Sequence, residues 1–132
     1  MTFSTTKCRY CGVEFRYPRE FGRVKYCSGR CRVSHVAPST PAEFKGCFGA
    51  KYYSRGRRRK ISQGDKIDYL VIYQYYEWEC HLCNEEIDPN LDFPDPGCAS
   101  IDHVVNLAHG GTHTWDNVKP AHLLCNQNKH SV

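Results

Sequence analysis

The chain has 132 residues and a mean hydropathy of −0.63, so it can form one modest domain or two very small ones with little apolar material for a core. Residues 1–60 hold 15 basic side chains against 3 acidic ones, whereas residues 61–132 hold 3 against 11. This asymmetry predicts that the first half binds nucleic acid and the second half has another task. The sequence has no apolar run of about 18 residues and no evident signal peptide, so we expect a cytoplasmic protein that does not enter a membrane.

The nine cysteines offer a substitute for the missing core, because small domains are commonly stabilised by disulfides or by metal. In a reducing compartment metal is favoured, and an odd number of cysteines fits thiolate ligands better than a complete set of disulfides. The first two pairs have the spacing of a ribbon-like or treble-clef-like zinc unit: Cys8, Cys11, Cys27 and Cys31. Two such pairs supply four tetrahedral ligands. We therefore predict a structural zinc within residues 1–36.

Residues 37–63 are rich in proline, glycine and arginine, which indicates a linker. Its basic side chains could neutralise DNA phosphates and release counterions: Arg55, Arg57, Arg58, Arg59 and Lys60. We expect the glycines to leave this segment pliable enough to follow a groove. The alternative is a solvated, mobile basic stretch without a fixed partner.

The next segment is predicted to be helical. Ser62 and Asp65 have the spacing of a capping box, and the apolar side chains of residues 66–77 recur near one helical face. The same residues are also good strand formers, so the sequence leaves both structures open. In either case we expect this segment to contribute to the core.

A second set of zinc ligands brackets the C-terminal half of the chain. One pair lies in Cys80-His-Leu-Cys83 and the other in His122-Leu-Leu-Cys125. Four protein ligands leave the metal no open position for a substrate, so this zinc is predicted to be structural. Cys47 and Cys98 then remain as spare thiols.

Three further motifs lie between or beside these pairs: Asp-His-Val-Val at 102–105, Gly-Gly-Thr-His-Thr-Trp-Asp-Asn-Val at 110–118 and Ala-His-Leu-Leu-Cys-Asn at 121–126. In this order, interleaved with zinc ligands, they resemble the HNH endonuclease family, and in particular the small HNH proteins of bacteriophages that infect actinobacteria. The resemblance covers about residues 64–130. It implies a small α+β fold, in which a zinc-stabilised ββα-metal nuclease domain at 64–132 follows the N-terminal zinc unit.

The resemblance also implies roles for individual residues. His103 would be the general base, Asp102 and Asn126 ligands of a divalent ion, and Asn117 the residue that orients His103. A neutral imidazole suits proton removal from water near neutral pH, and a hard ion held by oxygen ligands can stabilise the leaving oxygen. Successive residues of a strand point to opposite faces, so we expect an irregularity or strand end at Asp102. We also expect Asn117, just before the helix, to bond the backbone of the facing loop.

Asn126 stands where many family members have histidine, and its amide oxygen favours Mg²⁺ or Mn²⁺ over softer ions. His130 would share a helix face with Asn126 and is a further candidate ligand. Lys129 is a candidate DNA contact. For His81, His109 and His113, in knuckles or loops, we expect solvent exposure or phosphate contact.

These features predict a metal-dependent endonuclease of double-stranded DNA with two structural zinc ions and one catalytic Mg²⁺ or Mn²⁺. The resemblance adds a role in phage genome packaging beside the terminase large subunit, in the cytoplasm of the host cell. Two alternatives stay open: a catalytically silent two-zinc DNA-binding module, and a site-specific restriction or homing nuclease.

Overall fold

A computed structural model describes residues 2–35, 55–92 and 94–129. The described elements are, in chain order, β1 (Phe3–Lys7), β2 (Glu14–Pro18), α1 (Gly29–His35), α2 (Arg55–Ser62), α3 (Tyr69–Tyr75), β3 (Ala99–His103), β4 (Val118–His122) and α4 (Leu123–Lys129). Short 3₁₀ turns span Arg19–Phe21, Leu107–His109 and Trp115–Asn117. The predicted small α+β class is confirmed. None of the helices in the described ranges has the length and apolar character that a membrane crossing requires.

The N-terminal sheet is a hairpin that carries the first cysteine pair at its turn. β1 and β2 pair antiparallel from Phe3 opposite Pro18 to Lys7 opposite Glu14. The turn closes when the amide of Gly12 donates to the carbonyl of Cys8 over 3.0 Å, and Gly12 adopts a φ of +77°, which glycine tolerates best. The other two cysteines lie just before α1 and within it.

The second sheet and α4 form a ββα unit. β3 and β4 pair antiparallel without interruption from Ala99 opposite His122 to His103 opposite Val118. The strand therefore continues through Asp102, and the irregularity that we expected there is absent; the strand ends one residue later. All five residues of β3 are buried, so both of its faces are covered by protein. α4 follows β4 directly and packs against β3.

The helix predicted for residues 66–77 is present but shorter, and its cap differs. The Asp68 side chain caps α3 by accepting from the amide of Leu70 over 3.2 Å. The predicted capping box is wrong, because the Ser62 hydroxyl donates to the carbonyl of Arg59 and the Asp65 carboxylate accepts from Arg16 instead. The predicted core role holds, because three residues of α3 are buried: Leu70, Ile72 and Tyr73.

One apolar cluster contains residues from both predicted units, with Phe15 and Val24 from the N-terminal unit (1–36) and Ile72 and Trp115 from the C-terminal unit (64–132). Polar contacts reinforce this packing. The indole N–H of Trp115 donates to the carbonyl of Arg16 over 2.9 Å. The predicted unit boundaries at residues 36 and 63 stay a prediction. Within the predicted linker the described residues 55–62 form α2, so this part is helical rather than pliable.

Candidate active site and metal centres

Both predicted zinc sets are brought together by the fold. In each set the ligand atoms lie within 4.8 Å of one another: Cys8, Cys11, Cys27 and Cys31 in the first, and Cys80, Cys83, His122 and Cys125 in the second. Thiolate and imidazole donors in groups of four suit tetrahedral Zn²⁺. Each set can therefore hold a zinc ion, as the spacing predicted.

The second set shows which nitrogen of its histidine is available. Nε2 of His122 is hydrogen-bonded to the carbonyl of Glu86 at 2.9 Å, so it carries the proton and leaves Nδ1 to face the metal. Nδ1 lies 3.4 Å from Sγ of Cys83. Burial alone would raise the pKa of the Cys80 thiol, but backbone amides of Cys83, His122 and Leu82 lower it to about 7. These amides favour the thiolate that a metal requires.

The remaining cysteines differ from expectation in one case. Cys98 is disulfide-bonded rather than a spare thiol. Cys47 lies outside the described residues, and so does the candidate ligand His130.

Asp102 lies on one face of β3 and is 1% exposed. Its Oδ2 is 2.7 Å from Nε2 of His81, and Nζ of Lys129 lies 3.1 Å from both carboxylate oxygens. Burial favours the protonated acid, but the hydrogen bonds from His81 and Lys129 outweigh it and lower the pKa of Asp102. The carboxylate is therefore ionised and already faces a positive charge.

His103 projects from the opposite face of the same strand. Its Nε2 lies 2.9 Å from Nδ1 of His113, and both rings are buried. Burial, together with repulsion from His113 when that ring is protonated and from Arg57, lowers the pKa of His103 to about 4, and burial likewise lowers the pKa of His113 to about 4. At neutral pH the imidazole is uncharged and can accept a proton.

Asn117 ties together the loops around His103. Its Oδ1 accepts from the amide of Val105 over 2.9 Å, and its Nδ2 donates to the carbonyls of Val105 and Thr112 over 3.0 and 2.7 Å. Its own carbonyl accepts from the amide of Val104 over 2.9 Å. The structure thus has the predicted bonds to the facing loop, although Asn117 ends a 3₁₀ turn before β4 and does not precede a helix.

Asp102 and His103 both line a cleft of about 660 Å³ between α2, the 106–109 loop and α4. Asn126 also lines the cleft. Its Nδ2 donates to Oγ of Ser100 and to the carbonyl of Ile101, so the side-chain amide oxygen, Oδ1 of Asn126, is the atom that could bind an ion. The cleft therefore brings together a carboxylate, a neutral imidazole and an amide.

The predicted DNA-contacting residues divide into three groups. Arg57 and Lys60 of α2 line the cleft, and Nζ of Lys60 also donates to the carbonyl of Leu107. The other basic residues of α2 are exposed outside it: Arg55, Arg58 and Arg59. Lys129 lines the cleft, but its ammonium is engaged by Asp102 and by the carbonyls of His103 and Val104.

Two histidines have contacts that sequence reasoning missed. His113 is 3% exposed, so the expectation of an exposed residue is wrong, and His81 contacts Asp102. His109 is exposed and lines the cleft. The one sequence signal for His113 is its position shortly after the Gly-Gly pair. Its contact with His103 could not be predicted, because His103 lies ten residues earlier on another element.

Residues 80–132 match the model of a family described as HNH endonuclease. The matched stretch contains the second zinc set, both strands of the ββα unit and α4. No similar curated protein and no similar solved structure was found.

Proposed function

We propose, from the match of residues 80–132 to the HNH endonuclease family, that the protein is a metal-dependent endonuclease of double-stranded DNA with His103 as its general base. The observation that carries the proposal is the cleft itself. A neutral imidazole and an ionised carboxylate lie on adjacent residues of one strand and line the same cleft beside a basic helix. Phosphodiester hydrolysis needs a base, a cation site and a surface that attracts phosphate.

The residues present fit a hard divalent cation. Asp102 supplies an ionised carboxylate whose two oxygens already share the ammonium of Lys129, and Asn126 supplies an amide oxygen at the same cleft. Such oxygen donors favour Mg²⁺ or Mn²⁺. When bound, the ion would act as a Lewis acid on the leaving 3′ oxygen. His130 stays a proposed additional ligand.

His103 would take a proton from the attacking water. As the water oxygen bonds to phosphorus, the bond from phosphorus to the 3′ oxygen breaks, and the proton released by the water passes to the imidazole. The leaving oxygen then receives a proton from solvent. Asn117 keeps the loops on both sides of His103 in place through its hydrogen bonds to residues 105 and 112.

DNA affinity would come from the basic first half of the chain. Arg57 and Lys60 reach the cleft, and the exposed arginines of α2 extend the positive surface beyond it. Contacts with phosphates are independent of base sequence, so we propose binding without strong sequence preference. A role in phage genome packaging beside the terminase large subunit rests on the resemblance to phage HNH proteins alone.

The experiment compares binding with cleavage. The zinc-loaded protein, its His103→Ala variant and a His35→Ala control are incubated with a labelled DNA duplex and Mg²⁺ or Mn²⁺. His35 is an exposed histidine of α1 outside the cleft. We expect His103→Ala to lose about 10²–10⁴-fold in rate at unchanged affinity. Full activity of that variant would remove His103 as the base, and binding without cleavage by the unaltered protein would support the silent two-zinc module.

A further inference from the structure

We propose that His113 is a positioning residue for His103: Nδ1 of His113 accepts a hydrogen bond from Nε2 of His103, which leaves Nδ1 of His103 as the basic nitrogen. The inference rests on the proposed function, because it explains how the general base is oriented. It assigns a task to a buried histidine outside the proposed set of catalytic and ion-binding residues.

The geometry restricts how the two rings can share protons. Their facing nitrogens are 2.9 Å apart, and the ring centroids are 5.2 Å apart with the planes inclined by 50°. Two neutral imidazoles carry one N–H each, so one ring must donate in this bond and the other must accept. If His113 donated, the proton of His103 would be on Nδ1, and that nitrogen would have no lone pair for a proton from water.

The other nitrogen of His103 is not engaged by the bond to His113. Within the described part of the chain, Nδ1 of His103 has no hydrogen-bond partner. His103 also lines the cleft. A proton on Nε2 therefore leaves a lone pair where a water molecule can reach it.

The backbone around His113 is held from two sides. Its carbonyl accepts from the amide of Asp65 over 2.7 Å, and a Cβ at Gly64 would lie 2.1 Å from that same oxygen. Gly64 therefore permits an approach that no other residue could make without a backbone shift. On the other side, Asn117 holds the carbonyl of Thr112 and the amide of Val105. These backbone contacts hold His113 in place, so its hydrogen bond to His103 can fix the orientation of the His103 ring.

The first test reads the protonation pattern directly and needs no catalytic activity. Long-range ¹H–¹⁵N correlation spectra of the zinc-loaded full chain near neutral pH distinguish the two neutral forms of each histidine. The His103 signals are identified by their absence from His103→Ala. We expect the proton of His103 on Nε2 and that of His113 also on Nε2. A proton on Nδ1 of His103 would overturn the proposal.

The second test uses a matched pair of variants, His113→Asn and His113→Leu. They are similar in size, but only asparagine presents an oxygen near the position of Nδ1. We expect kcat to fall about tenfold or more in His113→Leu with little change in KM or in DNA affinity, and most of this loss to be recovered in His113→Asn.

Equal rates for the two variants would contradict a hydrogen-bonding role for His113. Zinc content and thermal stability of both variants identify a folding defect, and in that case the spectra of the unaltered protein decide. If the unaltered protein does not cleave DNA, the proposed function fails, but the protonation pattern still tests the bond between the two rings.

Discussion

Replacing Arg32 by methionine should destabilise the whole protein, because Arg32 of the predicted N-terminal unit forms a buried ion pair with Asp68 of the predicted C-terminal unit. Nε of Arg32 lies 2.9 and 3.2 Å from the two oxygens of Asp68, and the side chains are 6% and 2% exposed. Asp68 also caps α3. Removing one partner of such a pair leaves an uncompensated buried charge, which costs about 3–5 kcal/mol. That is a large part of the free energy of unfolding of a domain of this size.

The pH dependence of this loss has a definite sign. Burial raises the pKa of Asp68, and the positive charge of Arg32 opposes that shift. Without Arg32 the pKa rises further, so the folded state of the variant prefers the protonated acid. The penalty for ionised Asp68 is then present at pH above the raised pKa and fades as the pH falls through it. The deficit of Arg32→Met should therefore be smaller at acid pH than at neutral pH.

Urea unfolding followed by tryptophan fluorescence, at fixed zinc concentration, measures the deficit. Arg30→Met alters an exposed arginine of the same helix and should stay within about 0.5 kcal/mol of the unaltered protein. Asp68→Asn keeps an acceptor for the amide of Leu70 without the charge, so the double variant with Arg32→Met should recover part of the loss. An Arg32→Met variant as stable as the Arg30→Met control would refute the coupling of the two units through this pair.

Three further outcomes are expected. Replacing the arginines at 57–59 by alanine should weaken binding to all DNA sequences and should reduce the slope of log Kd against log salt by about 0.9 for each phosphate that is no longer neutralised. Lys66→Ala, which alters an exposed lysine, should leave both the affinity and the slope unchanged. An unchanged slope in the arginine variant would show that these arginines do not contact phosphates. Asn117→Ala should lower kcat about tenfold with DNA affinity retained, measured by single-turnover cleavage, and an unchanged kcat would remove its orienting role. The lowered pKa of His103, about 4, predicts that cleavage depends little on the protonation of this residue between about pH 5.5 and 8 and is lost as the pH falls through about 4; a midpoint near 6.5 would show an exposed, unshifted histidine.

The two clusters of candidate zinc ligands could be predicted from the sequence, because each consists of two pairs of cysteine or histidine residues at short spacing. The ββα unit was expected from the resemblance to the HNH family, and the structure has its two strands and helix. The bonds of Asn117 to the facing loop followed from the resemblance, and the structure has them.

Contacts between distant residues could not be predicted in this way. Spacing alone suggested Ser62 and Asp65 as a capping box. The Asp65 carboxylate instead accepts a hydrogen bond from Arg16, 49 residues earlier, and Asp68 caps the helix. The expected irregularity at Asp102 assumed that the residue and its neighbour must project to one side. The structure has a regular strand through Asp102, and both Asp102 and His103 nevertheless line the cleft, because they lie at the end of β3. The bond between His103 and His113 likewise depends on how a loop returns to a strand.

Incubation of the zinc-loaded protein with supercoiled plasmid tests the central claim most directly. In the presence of Mg²⁺ or Mn²⁺ we expect conversion to the nicked or linear form, and in EDTA the plasmid should stay supercoiled. The ratio of nicked to linear product separates cutting of one strand from cutting of both. Plasmid that stays supercoiled with either ion, or cleavage that persists in EDTA and in His103→Ala, would contradict a metal-dependent nuclease centred on His103.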